Sequence, residues 1–411
     1  MKTKIQLFVA FLLLAVGALW LTSCSSEDAV QGSGSQADAS LTLTINTGKV
    51  GSRATAWDGT NSPTTTQENT INRLTVGIFD ASTKKVKTIV ELTSATTGGN
   101  SLSVSGNTAT ATIVTTSLAT GDDVLVAANA PAGNFAGVAD ETGFNAKTET
   151  IESAVLASGD NTKEINNNIP MYGASTLNGS GSTFTATVSV QHQLAKITLD
   201  NLSVDFAQDG PYKSATFKPT EFFLVNVPEN LAFNKEAVNG TSHFHGCNIA
   251  SSDYSSLSWI TSLPSNWGSY KEFLATGALS GSALSGIASS GTEKYGSKSF
   301  FYVTPSTDDT DNGKMKLIIA GDFDANGSGT TEKVFYPVAL NAVTNDDGSF
   351  SPATNGGADK FKVYPNKNYK CTVVIKTKGT TDPTKNLDPQ TATVTVTVTD
   401  FVEAKQTTTF E

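Results

Sequence analysis

Apolar and polar residues alternate along much of this chain, and the longest alternating run is its last. In TATVTVTVTDFVEAKQTTTFE, residues 391–411, the even positions carry Val394, Val396, Val398, Val402, Ala404 and Phe410. The odd positions are almost all Thr, Glu or Lys, with Phe401 the exception. A period of two buries one face of a β-strand. Strands usually span about 5–6 residues, so this run is about three times longer than an ordinary place in a sheet requires. The same alternation opens the chain's first strand, LTLTIN, with Leu41, Leu43 and Ile45 on one side and Thr42, Thr44 and Asn46 on the other. Between these ends the pattern predicts strands over 73–80, 109–114, 123–130, 183–191, 196–204, 221–227, 299–305, 315–323, 333–340 and 369–379. One short helix is predicted at 149–158, and no repeat of fixed period is visible. Many short strands divided by turns predict an all-β chain of two tandem β-sandwich domains. The Gly- and Ser-rich stretch LNGSGST (177–183) is the expected boundary, giving sandwiches over 54–180 and 181–390.

A length of 411 residues suits two or three domains, and an abundance of Thr, Ser, Gly and Val fits strands rather than helices. The 38 acids and 28 bases leave a formal charge of −10. No basic footprint for nucleic acid is expected from that balance, which suits a soluble, self-repelling surface instead.

The first residues change the picture most. Lys2 and Lys4 precede an apolar run from Ile5 to Leu21, and Leu21-Thr22-Ser23-Cys24 follows. A charged start, a short apolar region and a small-residue site predict a secretory signal over 1–23. LTSC resembles a bacterial lipobox, which makes Cys24 the lipidated first residue of the mature chain. The SSED that follows resembles the acidic tag of surface-exported lipoproteins. Lipid on Cys24 is then the expected link to a membrane, and several acyl chains hold firmly. No later run approaches the ~18 apolar residues a spanning helix needs.

Residues 25–40 read as a flexible tether. After LTLTIN comes the loop TGKVGSRATAWDGTNSPTTTQ. Arg53 in that loop and Arg73 in a predicted strand are the only two arginines of the chain. Arg53 sits where proteolytic nicking concentrates, whereas Arg73 is protected by its strand.

Candidate chemistry is thin. Asp322, Asp324, Asn326 and Gly327 in GDFDANGSGTTEK fit the first positions of a calcium loop, but Lys333 stands where the bidentate Glu belongs. Asn-Gly between two strands favours a hairpin, and DDTDNG (308–313) is weaker still. His243, His245 and Cys247 alternate in SHFHGC and would share one face of a strand, a possible three-ligand metal set, though no fourth ligand is near. Trp259, Trp267, Tyr270 and Phe273 cluster in one stretch, either covering the end of a sandwich or offering rings to a partner. His192 has no evident nucleophile beside it, and no nucleophile elbow, phosphate loop or HExxH occurs. No enzyme activity, cofactor or metal is therefore predicted. Whether Cys247 and Cys371 pair stays open at this level.

Several pieces together resemble the Bacteroidales fimbrillin family, the subunits of type V pili. They are LTSC, the arginine in VGSRAT, VLVAANAP (124–131), IPMYG (169–173), VSVQHQLAKITL (188–199), FFLVNVP (222–228), VFYPVALN (334–341), YPNKNYKCTVVIK (364–376) and VTVTVTDFVEAKQ. The C-terminal part is most similar to minor-fimbria shaft subunits. The resemblance implies transthyretin-like sandwiches and a lipoprotein precursor. It also implies an arginine-specific protease cutting Arg53–Ala54, which would release the tether and first strand (24–53) with Leu41, Leu43 and Ile45. The C-terminal region of the next subunit (391–411), with Val394, Val396, Val398, Val402 and Phe410, would then fill the vacated groove. Partners would be further copies and related tip or anchor subunits, in a fimbrium serving adhesion and biofilm formation. The competing reading is a monomeric surface lipoprotein that binds glycans through the aromatic stretch 257–273. An alternative for the long terminal run is that it completes its own domain, bending near Asp400-Phe401.

Overall fold

The computed structural model describes residues 39–47, 65–157, 160–164, 167–234, 300–310, 313–345, 349–383 and 391–400, with short pieces between 237 and 294 and single residues at 347 and 385. Cys24, Arg53, Ala54, His245, Cys247, the aromatic stretch, Val402 and Phe410 lie outside them.

The first sandwich has two five-stranded sheets. Its strands are β1 (Ala39–Asn46), β2 (Arg73–Phe79), β3 (Val86–Thr93), β4 (Ser101–Ser105), β5 (Thr108–Thr115), β6 (Asp123–Ala128), β8 (Met171–Thr176), β9 (Asn178–Ser180) and β10 (Thr183–Ser189); β7 (Thr148–Thr150) stands apart from both sheets. One sheet runs β9-β10-β1-β5-β4, and the other β8-β6-β2-β3 with the two-residue strand Gln191–His192 beside β8. The outer sheet alternates strictly, buried and open in turn along β1 and β10, because its far face is solvent. The inner sheet does not alternate: β2 and β6 are buried at almost every position. One of its faces packs Leu74, Val76, Ile78, Val124 and Val126 against the outer sheet. Its other face packs Phe79, Leu125 and Tyr172 into the core shared with the second sandwich.

The second sandwich is built from β11 (Ala195–Val204), β12 (Thr216–Val225), β14 (Phe300–Val303), β15 (Lys316–Asp324), β16 (Thr331–Ala339), β17 (Lys367–Ile375) and β18 (Ala392–Asp400). One sheet holds β11-β17-β18 with β14 on the free side of β11; the other holds β12-β15-β16. A small pair joins β7 to β13 (Asn230–Ala232).

Two expectations are corrected. The predicted boundary at 180/181 falls inside the first sandwich, because β10 pairs with β1 over its whole length. LNGSGST is the β9–β10 hairpin, and the chain passes to the second sandwich at about residues 190–194. The helix predicted at 149–158 is only Ile151–Val155, flanked by strand.

Glu149 on β7 faces Leu231 in register and is 5% exposed, with Oε2 lacking a hydrogen-bond partner. Burial pushes its pKa up from 4.5 to about 8. The folded protein therefore keeps a proton that the unfolded chain releases above its lower pKa, and stability falls as pH rises between the two values. The slope expected from this group is about 1.4 kcal/mol per pH unit at most. Glu149→Gln should flatten that slope and leave the variant more stable than the parent at pH 8, a comparison made by urea unfolding at pH 5 and pH 8.

Candidate functional site: the slot held by the first strand

β1 is a central strand although it comes first in the chain. It runs antiparallel to β5, from Ala39 opposite Thr115 to Asn46 opposite Thr108. It runs parallel to β10, from Ser40 opposite Thr183 to Asn46 opposite Ser189. Its ends are tied as well: Ser40 N–H donates to Ser182 O at 2.9 Å, Thr47 N–H to Asn107 O at 3.0 Å, and Val190 N–H to Asn46 O at 3.0 Å.

Leu41, Leu43 and Ile45 are fully buried, and Ala39 is 4% exposed. Their neighbours are small. Leu43 lies between Ala111 and Ala186, and Ile45 between Ala109 and Val188; only Leu41 has large flanks, Ile113 and Phe184. β1 thus supplies much of the bulk of this layer, since three of the six residues flanking its buried Leu41, Leu43 and Ile45 are alanine. Sequence reasoning found β1 but not these walls. Their signal is the Ala-Thr alternation of ATATIV and TFTATV, where small buried residues mark a strand made to flank larger ones.

The resemblance motifs hold the structure around this slot. Asn129 of VLVAANAP takes a positive φ of 61°. Its Oδ1 accepts from Asn72 N–H at 2.8 Å, and its Nδ2 donates to Thr70 O at 2.8 Å and Ile169 O at 2.9 Å. Gly173 of IPMYG lies so near β10 that a Cβ would stand 2.5 Å from Ser189 O, so only glycine fits there.

In the single chain, the first part of the terminal run is a strand of the second sandwich. Residues 392–400 form β18, antiparallel to β17, with Val394, Val396 and Val398 opposite Val373, Cys371 and Tyr369. The three valines are at most 3% exposed and belong to the second sandwich's own core. Within the single chain, the alternation thus marks the face that these valines bury in their own sheet. Along its far edge β18 meets Thr354, which accepts from Val398 N–H at 3.0 Å.

The other candidates resolve locally. Asp324 Oδ1 accepts from the backbone N–H groups of Asn326, Gly327 and Ser328 at 2.9–3.2 Å, and Oδ2 from Gly329 at 2.6 Å. These amides hold its pKa below the ordinary carboxylate value. Asp322 pairs with Lys333 at 3.3 Å. The stretch is the β15–β16 hairpin, with its acids already engaged. His243 lies on a two-residue strand opposite Pro228. Among the described residues no three His, Cys, Asp or Glu side chains gather as a metal site. Cys371 is a free, fully buried thiol whose pKa burial pushes up to about 12. Arg73 lies within β2, 3.4 Å from Glu91. No helix among the described residues is long and apolar enough to cross a membrane.

Two sandwiches, with β1 completing the first sheet, make a fold shared with solved fimbrilin and cell adhesion proteins. Residues 39–200 match the major fimbrial subunit protein (FimA) family. The fold is similar to that of the fimbrilin FimA from Porphyromonas gingivalis W83, with a TM-score of 0.58 and 17% identity over 90% of this chain and 99% of that one. It is also similar to a candidate cell adhesion protein from Bacteroides eggerthii, with a TM-score of 0.58 and 22% identity over 90% of this chain and 97% of that one. A candidate cell adhesion protein from Parabacteroides distasonis aligns with a TM-score of 0.56 and 16% identity, over 90% and 100% of the two chains. No sequence of a curated protein matches the chain.

Proposed function

We propose that this chain is a structural subunit of a cell-surface fimbrium, polymerising by strand exchange at the β1 slot and supporting adhesion and biofilm formation. The precursor is held at the outer membrane by lipid on Cys24. An arginine-specific protease cuts Arg53–Ala54, and β1 leaves with the lipidated segment. The neighbouring subunit, another copy or a related tip or anchor subunit, supplies the replacement strand.

The observation that carries this reading is the position of β1. A strand of eight residues, buried on one face and hydrogen-bonded on both edges, lies just ahead of an arginine in a predicted loop. Removing it opens two unpaired edges and an apolar groove, which is a template for β-strand addition. Because β18 serves its own sheet, the donor is narrowed to residues 401–411. There Val402, Ala404 and Phe410 share the even phase, with Gln406 and Thr408 between the last two. To keep the ladders, the incoming strand runs parallel to β10 and antiparallel to β5. The association is head to tail and open-ended, which builds filaments rather than rings.

The test uses residues 25–411 treated with an arginine-specific protease, with intact mass to locate the cut and electron microscopy to look for filaments. The expected result is cleavage after Arg53, then filaments that a chain ending at residue 400 does not form. Resistance at Arg53 under conditions that digest open loops would reject the cleavage step.

A further inference from the structure

Four residues ahead of β2 the chain makes one turn of helix, α1 (Thr65–Glu68), whose last residue is buried among groups of the second sandwich. Glu68 is 3% exposed. Its Oε1 accepts from Lys196 Nζ at 2.8 Å and from the Tyr302 hydroxyl at 2.7 Å. Lys196 on β11 and Tyr302 on β14 are register partners, so the carboxylate is gripped across a strand pair. The Lys196 ammonium also stands 4.4 Å from the centre of the Phe300 ring. The Glu68 carbonyl oxygen is 3.0 Å from His192 Nε2, whose Nδ1 is 3.3 Å from Asn366 Oδ1. Burial holds the His192 pKa below its ordinary value, which favours a neutral ring, and Nε2 reaches that carbonyl only as a donor.

A buried ion pair is a weak source of net stability, since desolvation offsets much of its attraction. What it does well is fix position, because either charge left alone in the interior is strongly disfavoured. Apolar packing at this point would tolerate sliding. The Glu68 grip would not.

We propose that Glu68 is the anchor of the N-terminal segment that the cut at Arg53 leaves behind, holding it against the second sandwich. Everything from α1 onward stays docked on the second sandwich while the slot stands open. This rests on the cleavage reading above. It explains why a charged grip is placed between the cut at Arg53 and β2, a strand buried on both faces whose loss would unravel the inner sheet.

Hydrogen exchange on residues 25–411 tests it, in the parent, Glu68→Ala, and the paired Glu68→Gln/Lys196→Met chain, which buries no lone charge. Peptides over 65–79 are compared with β5, β15 and β17, before and after cutting and removal of residues 25–53. In Glu68→Ala, exchange over 65–72 should rise at least tenfold in the uncut protein, with β15 and β17 unchanged. After removal of the segment, protection over 73–79 should survive in the parent and be lost in both variants. Equal protection over 65–79 in all three proteins would overturn the anchor, as would a loss spread evenly over both sandwiches. If Arg53 resists cutting, the cleavage reading fails separately. The uncut comparison still decides whether Glu68 holds α1.

Discussion

Stripping residues 25–53 from the cut protein should lower its melting temperature far more than the cut itself. Leu41, Leu43 and Ile45 are each fully buried, and side chains of that size contribute about 1.5–3 kcal/mol apiece, roughly 5–9 kcal/mol together. A whole domain is usually stable by about 5–15 kcal/mol. The walls cannot close over the loss by local movement, since Ala109, Ala111 and Ala186 have no bulk to offer. The first sandwich should therefore melt early or become partly open, while the nicked protein that retains β1 melts near the uncut one. A synthetic peptide of residues 38–47 added in excess should restore the transition. Calorimetry of the uncut, nicked and stripped forms makes the comparison. An unchanged transition after stripping would show that β1 is dispensable to the fold and that the slot is not a site of exchange.

The second large effect concerns the other end of the chain. Deleting residues 391–411 should destabilise the monomer itself, because Val394, Val396 and Val398 line its own core. Three buried valines at about 1.5–3 kcal/mol each make a loss that a single domain barely survives. Deleting only 401–411 should leave the melting transition where it was and remove assembly alone. The shorter deletion is thus the informative one for polymerisation. Cys371 supplies an independent readout, since it lies opposite Val396 in register and is fully buried. With Cys247 replaced by serine, a thiol reagent should modify the 391–411 deletion quickly and the 401–411 deletion no faster than the parent. Rapid labelling of the parent would mean that β18 leaves its sheet readily and could itself be a donor.

Alternation made the outer strands legible. β1, β10 and β18 each keep one face polar, and the sequence shows which residues face inward. It does not show what they face. The same period of two describes β1 in the first sandwich, β18 in the second, and a strand donated to another chain. The period alone therefore assigned neither β10 to its sandwich nor the valines of β18 to one chain or another. The parallel pairing of β1 with β10 joins distant parts of the sequence and leaves no local mark. β3 and β4 were not predicted: β3 is half-buried along most of its length, and β4 is a short edge. Of the slot, the strand that fills it was readable, as was the arginine beyond it. The alanine walls and the Glu68 grip depend on contacts between residues far apart, and only the fold brings them together.

The placement of β1 also bears on the order in which the molecule comes into being. β1 is made before both of its partners, and Ser40 cannot meet Thr183 until the chain through β10 exists. Contacts so far apart in sequence are slow to form. Meanwhile β5 can zip to β4 and β10 to β9 through short local turns. β1, made before its partners, is then expected to settle late, closing a sheet whose two halves are already made. Withdrawing it, as the proposed exchange requires, would reverse that final step and leave the β4–β5 and β9–β10 pairs in place. A strand that docks late can be withdrawn without dismantling what formed before it.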